Sequence, residues 1–171
     1  MSNKKIVIIL MVFVLFFSVN AFAFQFEDFE WGISREDAET IIQDKGKILL
    51  FSDDEDEIGY TDTILDKPCQ VILFFTPNSK QLAGITIIWK TTAVGKTLKY
   101  LLTKKYGQPQ QVNEGANFYN WGSVENYRML VLEFNSPQTD LIYYGGNYYK
   151  NLEKEKKEED REKIEEEIDR F

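Results

Sequence analysis

The residue types that most often do chemistry in proteins are scarce in this chain. Its 171 residues include no histidine and a single cysteine, Cys69. Without histidine, Ser-His-Asp and Cys-His catalytic arrangements and histidine-containing zinc sites are excluded. A single cysteine also excludes an intramolecular disulfide framework and a thiolate metal cluster. The chemistry that remains is that of carboxylates, phosphate-binding loops and aromatic side chains.

Carboxylates are plentiful, but their spacing does not define a catalytic or metal site. The acidic run 53–57 fails as an EF-hand calcium loop, because a loop that starts at Asp54 places Ile58 and Leu65 at ligand positions. We interpret this run as a solvated turn. Glu133 lies inside an apolar strand, and no second acid is evident beside it, although carboxylate hydrolysis needs a pair. The sequence therefore predicts no catalytic residue, no metal site and no enzyme. A carboxylate-based hydrolase is the least favoured alternative.

Gly95-Lys96-Thr97 is similar to the end of a phosphate-binding P-loop, and it follows a strand and opens a helix. The first glycine of that motif belongs at position 90, where this chain has lysine, so the loop cannot wrap a phosphate. The balance of 20 basic and 28 acidic residues, a net charge of −8, argues against nucleic acid. We expect no nucleotide, no nucleic acid and no cofactor.

Aromatic residues are the most distinctive feature of the chain. On strands, half of such side chains face away from a single core, and Tyr and Trp are enriched at protein interfaces. Ordinary cross-strand packing under the two helices is the interpretation that we favour for these residues, and an interaction surface is the alternative. The candidate interaction surface consists of Tyr119, Trp121, Tyr143, Tyr144, Tyr148 and Tyr149.

The first 23 residues resemble an export signal. Lys4 and Lys5 precede an unbroken apolar run, 6–17, and the segment ends in Ala21-Phe22-Ala23, a small-x-small cleavage pattern. Cleavage after Ala23 leaves 18 basic and 28 acidic residues, a net charge of −10. The alternative is an uncleaved N-terminal anchor with the domain outside the cytoplasm. Both place the protein in the periplasm or outside the cell, with membrane contact only through that segment if it is retained.

The mature chain divides into an α+β domain, 24–149, and a charged C-terminal segment, 150–171. Ser34 is a good N-cap for a short helix, about 35–45, and Gly46 suits its end. Four strands, a second helix and three more strands follow. The sequence thus predicts two helix-plus-antiparallel-meander units (α-β4-α-β3) with the helices packed on one sheet face. The repeated order suggests an internal duplication.

Residues 150–171 predict a charged, solvated helix or tail, with favourable i, i+4 pairs such as Glu159 and Lys163. Ile164, Ile168 and Phe171 form one short apolar stripe, and a helix face that docks on a partner is the alternative. Cys69, which follows Pro68, is best interpreted as a small buried hydrophobic residue, with an intermolecular disulfide as the alternative.

Two segments resemble known exported proteins. Phe29–Ala38, with Trp31-Gly32-Ile33-Ser34 before a short helix, resembles the opening of many uncharacterised exported bacterial domains. Lys105-Tyr106-Gly107-Gln108-Pro109 resembles the end of their second helix, which precedes a Trp-bearing strand, here that of Trp121. The arrangement, over roughly 26–145, is similar to the β-lactamase inhibitor protein and to the small lipoprotein of the outer-membrane β-barrel assembly machinery. The chain lacks the lipid-attachment cysteine of the latter, and the resemblance supplies no catalytic residue.

Together these features predict an exported bacterial envelope protein whose domain is non-enzymatic and acts through an envelope protein partner, as an interaction or scaffold domain. The alternative is a small-ligand or divalent-cation binding module that uses the aromatic sheet face or the acidic turn.

Overall fold

The computed structural model describes residues 26–51, 55–123, 128–135 and 137–168. The predicted signal segment, 1–23, lies outside these residues. Within them, three α-helices and eight β-strands follow in the order α1 (Arg35–Asp44), β1 (Leu49–Phe51), β2 (Glu57–Ile64), β3 (Lys67–Phe75), β4 (Leu82–Trp89), α2 (Gly95–Tyr106), β5 (Gln111–Asn113), β6 (Phe118–Ser123), β7 (Arg128–Asn135), β8 (Gln138–Tyr144) and α3 (Asn147–Ile168). The predicted α+β class is confirmed.

All eight strands form one antiparallel sheet, in the order β1-β2-β3-β4-β8-β7-β6-β5. The central pairing joins β4 to β8, with Ile85 opposite Tyr143 and Ile87 opposite Leu141. The second half of the chain has four strands and not the predicted three. The additional strand, β5, is only three residues long and all three residues are exposed, so it carries no alternating apolar pattern that would reveal it.

One face of the sheet, here called the core face, carries α1 and α2. Its strand residues are fully buried in one cluster with Ala38 and Ile42 of α1 and Leu98 and Leu102 of α2. Gly95 lets α2 lie close to the sheet, since a Cβ there would stand 2.3 Å from the Phe134 ring. The core-face side chains are Ile58, Tyr60, Cys69, Val71, Leu73, Phe75, Ile85, Ile87, Trp89, Tyr119, Trp121, Leu130, Leu132, Phe134, Leu141 and Tyr143.

The start of α1 follows its sequence signals. The Ser34 hydroxyl accepts a hydrogen bond from the Asp37 N–H at 3.1 Å and donates to the Asp37 carboxylate at 2.7 Å. Its own backbone pairs with Gln81, just before β4. The cap therefore both begins the helix and fixes it to the sheet.

Cys69 is buried on the core face, and its thiol donates to the Asp62 carbonyl at 3.5 Å. Burial, aided by the nearby Asp62 charge, raises the pKa of Cys69 to about 11. Because the thiolate is the reactive form, this thiol is unreactive at neutral pH. The position agrees with the buried-hydrophobe interpretation.

Candidate functional site

The six aromatic residues of the predicted interaction surface fall into two groups. Tyr119, Trp121 and Tyr143 are buried in the core, with exposed fractions of 3%, 1% and 8%. The Trp121 indole N–H donates to the Gly107 carbonyl at 2.9 Å, and Tyr119 stacks on Phe134. The position of these three corrects the expectation that they form a contact surface. The physical reason is that one core face spans eight strands and takes aromatic side chains from both halves of the chain.

The other three, Tyr144, Tyr148 and Tyr149, are half-buried where β8 passes into α3. Tyr144 and Tyr149 meet edge to face, with ring centroids 4.5 Å apart. The ring of Tyr148 covers Gly32, where a Cβ would stand only 2.4 Å from it. These rings therefore fasten the start of α3 to the body of the domain while leaving part of each ring accessible.

The helix α3 starts three residues before the predicted segment and does not lie wholly in solvent. Leu152 is 5% exposed and lines a groove with Phe74 and Tyr144 on the sheet face opposite the core face. We call this second face the open face. Farther along α3, Ile164 and Ile168 are 58% and 65% exposed, and Phe171 lies outside the described residues.

A single carboxylate adds to the docking of α3. Glu155 accepts hydrogen bonds from the N–H of Asn78 (2.8 Å) and from the N–H and hydroxyl of Ser79 (3.4 and 3.1 Å), in the turn between β3 and β4. The anchor joins positions 76 residues or more apart, and no sequence pattern signals it.

Replacing Glu155 with alanine should lower the free energy of unfolding by about 1 kcal/mol, because partly exposed hydrogen bonds to a charged group are lost. Hydrogen exchange should show faster exchange of the α3 amides near residue 155. The matched control is Glu162→Ala, at an exposed position on the same helix. If the α3 amides exchanged equally slowly in Glu155→Ala and Glu162→Ala, the role of Glu155 as an anchor would be contradicted.

The groove between α3 and the open face has a volume of about 310 Å³. Its floor is made by strand residues and its wall by α3. It combines aromatic and aliphatic lining with one acid and one base, which is the composition of a site for an amphipathic group. The lining residues are Phe74, Gly84, Ile85, Thr86, Ile142, Tyr143, Tyr144, Tyr149, Leu152, Glu153 and Lys156.

The open face carries a row of side chains that runs through this groove and beyond it, in which Ile72 and Ile142 are half-buried and Val131 is buried. The strand register aligns Ile72, Thr86, Ile142 and Val131 in one row across β3, β4, β8 and β7. Leu50 stands at the β1 end of that row and is 37% exposed. Ile72, Ile88 and Ile142 are all partly accessible to solvent. The accessible apolar side chains of the open face thus include several isoleucines, and of the six aromatic residues of the candidate interaction surface, Tyr144 and Tyr149 border this face at the groove.

Two acids face each other in the next row of the open face. Glu133 of β7 is the direct register partner of Asp140 of β8. Such partners have Cβ atoms about 4.5–5.5 Å apart. The two predicted strands contain both acids, but their pairing becomes visible only when the hairpin register aligns Asn135 with Gln138. A carboxylate hydrolase needs two carboxyl groups about 5–10 Å apart in a cleft, and the groove under α3 includes neither of these acids.

The environment of Asp140 disfavours its charge. Burial raises the pKa of Asp140, and hydrogen bonds from the Gln138 amide to its two oxygens (2.7 and 2.9 Å) offset this only in part. At Asp62 the net effect on the pKa is the opposite. Its burial acts to raise the pKa, but hydrogen bonds from the Lys47 ammonium and the Thr63 N–H outweigh burial and lower it.

These shifts predict opposite pH dependences for two asparagine variants. Above the ordinary aspartate pKa of 3.8, folded Asp140 retains its proton where the unfolded chain has lost it, so its contribution to stability falls as pH rises. Relative to the parent, Asp140→Asn should therefore gain stability between about pH 3 and pH 6, as measured by urea unfolding. Asp62→Asn, the matched control, should lose stability over the same range. If the free energy of unfolding changed with pH in the same way in the parent, Asp140→Asn and Asp62→Asn, the directions of the two pKa shifts would be contradicted.

A metal centre is not formed by the described acids and cysteine, among which no three converge as a metal site needs. Of the predicted acidic turn, positions 53 and 54 lie outside the described residues. Asp56 is buried and pairs with the Lys80 ammonium at 2.6 Å. At Asp56 the interpretation as a solvated turn is therefore wrong, because Lys80 neutralises the carboxylate and allows it to be buried.

No helix in the described parts of the chain is both long and apolar enough to cross a membrane. Comparison with protein-family models, curated proteins and solved structures gives no match.

Proposed function

We propose that this chain is an exported, non-enzymatic protein-interaction or scaffold domain of the bacterial envelope, and that it binds its partner with the open face. The observation that carries this proposal is the group of half-buried isoleucines Ile72, Ile88 and Ile142 on neighbouring strands, of which Ile72 and Ile88 lie outside the groove that α3 borders. Contiguous accessible apolar surface on a soluble domain usually marks an interaction site.

The polar residues of this face suggest the chemistry of the partner. Glu133 and Asp140 stand beside one another in the row next to the aliphatic one. A protein segment that presents aliphatic side chains together with a lysine or arginine would bury the apolar row and place its cation at this pair. The pair then contributes specificity, and the aliphatic row contributes most of the binding free energy.

The export of the domain is part of the proposal and is supported by the charged start, apolar run and Ala-Phe-Ala ending of residues 1–23. We propose cleavage after Ala23, with a retained anchor as the alternative. The similarity to the β-lactamase inhibitor protein and the small assembly-machinery lipoprotein also stays a proposal. It is supported by a helix followed by antiparallel strands in each half of the chain, as is the proposed internal duplication.

A small-ligand or divalent-cation binding module is the alternative function. The cavity under α3, lined by Tyr144 and Tyr149 with Glu153 and Lys156 at its side, favours a small amphipathic ligand. A carboxylate-based hydrolase ranks below it, and its candidate residues are Glu133 and Asp140.

Two measurements on the mature protein, 24–171, separate these functions. Capture from envelope extract should recover one specific partner protein, and thermal-shift screening with calcium, sugars and peptides should give no large shift. A shift with a sugar or calcium and no captured partner would favour the binding module. Hydrolysis of a glycoside substrate that is lost in Glu133→Gln would favour the hydrolase.

A further inference from the structure

The outward side of α2 differs in charge from the rest of the protein. The helix contains four lysines and no acid, in a chain with a net charge of −8. Lys96, Lys104 and Lys105 are exposed, while the Lys99 ammonium lies over the Tyr119 ring at 4.1 Å. Between described residues, none of these lysines forms an ion pair. Among the described residues, no acid neutralises the charge on this side of α2.

Two apolar side chains stand among these lysines. Tyr100 is 66% and Leu101 41% exposed, although the inner side of the same helix is buried through Leu98 and Leu102. Lys96, Tyr100 and Lys104 are spaced four residues apart and so form one stripe about 12 Å long. The surface of α2 thus presents an apolar centre with a cation at each end.

The outer part of α3 has the complementary composition. Residues 158–165 contain five acids and two bases. Both bases are paired within the helix, Arg161 with Glu165 (3.6 Å) and Lys163 with Glu159 (2.6 Å). Glu158 pairs with Lys154 (3.7 Å), so Asp160 and Glu162 are the acids in excess. They accompany Ile164 and Ile168, the exposed apolar residues of this helix. Asp160, Ile164 and Ile168 repeat the four-residue spacing of the α2 stripe.

These two surfaces cannot meet within one copy of the chain. The helix α2 packs on the core face against Phe134, while α3 packs on the open face through Leu152 and leads towards the turn at residues 78–79. An eight-stranded sheet separates them. A second copy brings the same two surfaces together without this obstacle.

We propose that the α2 surface, centred on Tyr100 and Leu101, binds the outer part of α3 from a second copy of the chain. A two-fold axis makes the contact reciprocal, so that each copy gives its α3 and receives its partner's, and the assembly closes as a dimer. Ile164 packs on Tyr100 and Leu101, and the α3 acids approach Lys96 and Lys104. This interface leaves the open face free, so it is independent of the proposed function.

An anionic membrane is the other surface that a basic helix could meet, but the charges of this protein favour the second copy. The protein as a whole is acidic and is repelled by an anionic surface. The outer part of α3, in contrast, supplies both acids and apolar residues that complement α2, and its stripe Asp160, Ile164 and Ile168 has the same length as the α2 stripe.

The test is sedimentation velocity of the mature protein at low and high salt. We expect a dimer at low salt that dissociates as salt screens the charges. Lys96→Glu with Lys104→Glu should weaken association at least about tenfold, and so should Ile164→Asp with Ile168→Asp. All four positions are exposed, so folding is unaffected, as circular dichroism should verify. Lys67→Glu with Lys150→Glu, an equal charge change at exposed positions elsewhere, should leave the dimer intact.

Mixing the two monomeric variants gives the most decisive result. The lysine variant retains an intact α3 and the isoleucine variant an intact α2, so one of the two contacts can form between them, and a heterodimer should appear. A parent protein that stays monomeric at low salt would overturn the proposal, as would a dimer that is insensitive to either pair of substitutions. Binding to phosphatidylglycerol vesicles that is lost in the lysine variant but kept in the isoleucine variant would also overturn it and assign α2 to a membrane surface.

Discussion

Replacing Trp121 with alanine should lower the free energy of unfolding by about 3–5 kcal/mol, the usual cost of removing a large buried aromatic side chain. Trp121 is 1% exposed, and its indole N–H is satisfied by the Gly107 carbonyl. The variant loses packing against the core face and leaves that carbonyl, at the end of α2, without its donor. Urea unfolding monitored by circular dichroism measures the loss.

The control for this prediction is Tyr100→Ala, with parent and variants unfolded at the high salt that keeps the protein monomeric. Tyr100 is also a large aromatic residue, but it is 66% exposed on α2, so the free energy of unfolding should change by no more than about 0.5 kcal/mol. If Trp121→Ala were as mild as Tyr100→Ala, Trp121 would belong to a surface, and the assignment of the core face would be wrong.

Introducing lysine at Ile72 and Ile88 together should weaken partner binding by at least about 30-fold, the loss expected when central apolar contacts of an interface are removed. Both residues are half-buried on the open face, one in the aliphatic row and one in the row of Asp140. Lysine can lay its stem along the apolar surface and keep its ammonium group in water, so the fold should be retained. The affinity is measured by titration with the captured partner.

Val112→Lys is the matched control for that pair. Val112 is 50% exposed on the edge strand β5, and its register partner Tyr119 belongs to the core face. This change adds a lysine to an exposed apolar strand position without touching the open face, so the affinity should stay within about threefold of the parent. An equal loss in both proteins would indicate a general effect of charge and would contradict an interface on the open face.

The sequence predicts the faces of the long strands well, because their alternation is strong. Leu130 and Leu132 are buried on one side of β7, and Glu133 lies on the other, as their spacing indicates. The sequence does not show how the strands of the first half of the chain pair with those of the second half. The pairing of β4 with β8 links Ile85 to Tyr143 across 58 positions, and periodicity carries no information about such long-range contacts.

The candidate site was predictable only in part for the same reason. Tyr119 and Tyr144 are both strand tyrosines in the sequence, and only the complete sheet shows that one is covered by α2 while the other borders a groove. The docking of α3 depends on a single buried Leu152 and on Glu155 at a distant turn. Because most residues of α3 are charged and exposed, two such contacts do not change its sequence pattern, and the sequence indicates a fully solvated helix.

The most direct test of the open face as the binding surface is photocrosslinking in the living bacterium. A photoreactive phenylalanine analogue is placed in turn at Ile88, Ile142 and, as the control, Val112. We expect one discrete adduct with an envelope protein from positions 88 and 142 and none from position 112. The absence of any adduct from positions 88 and 142, or the same adduct from all three positions, would contradict the account.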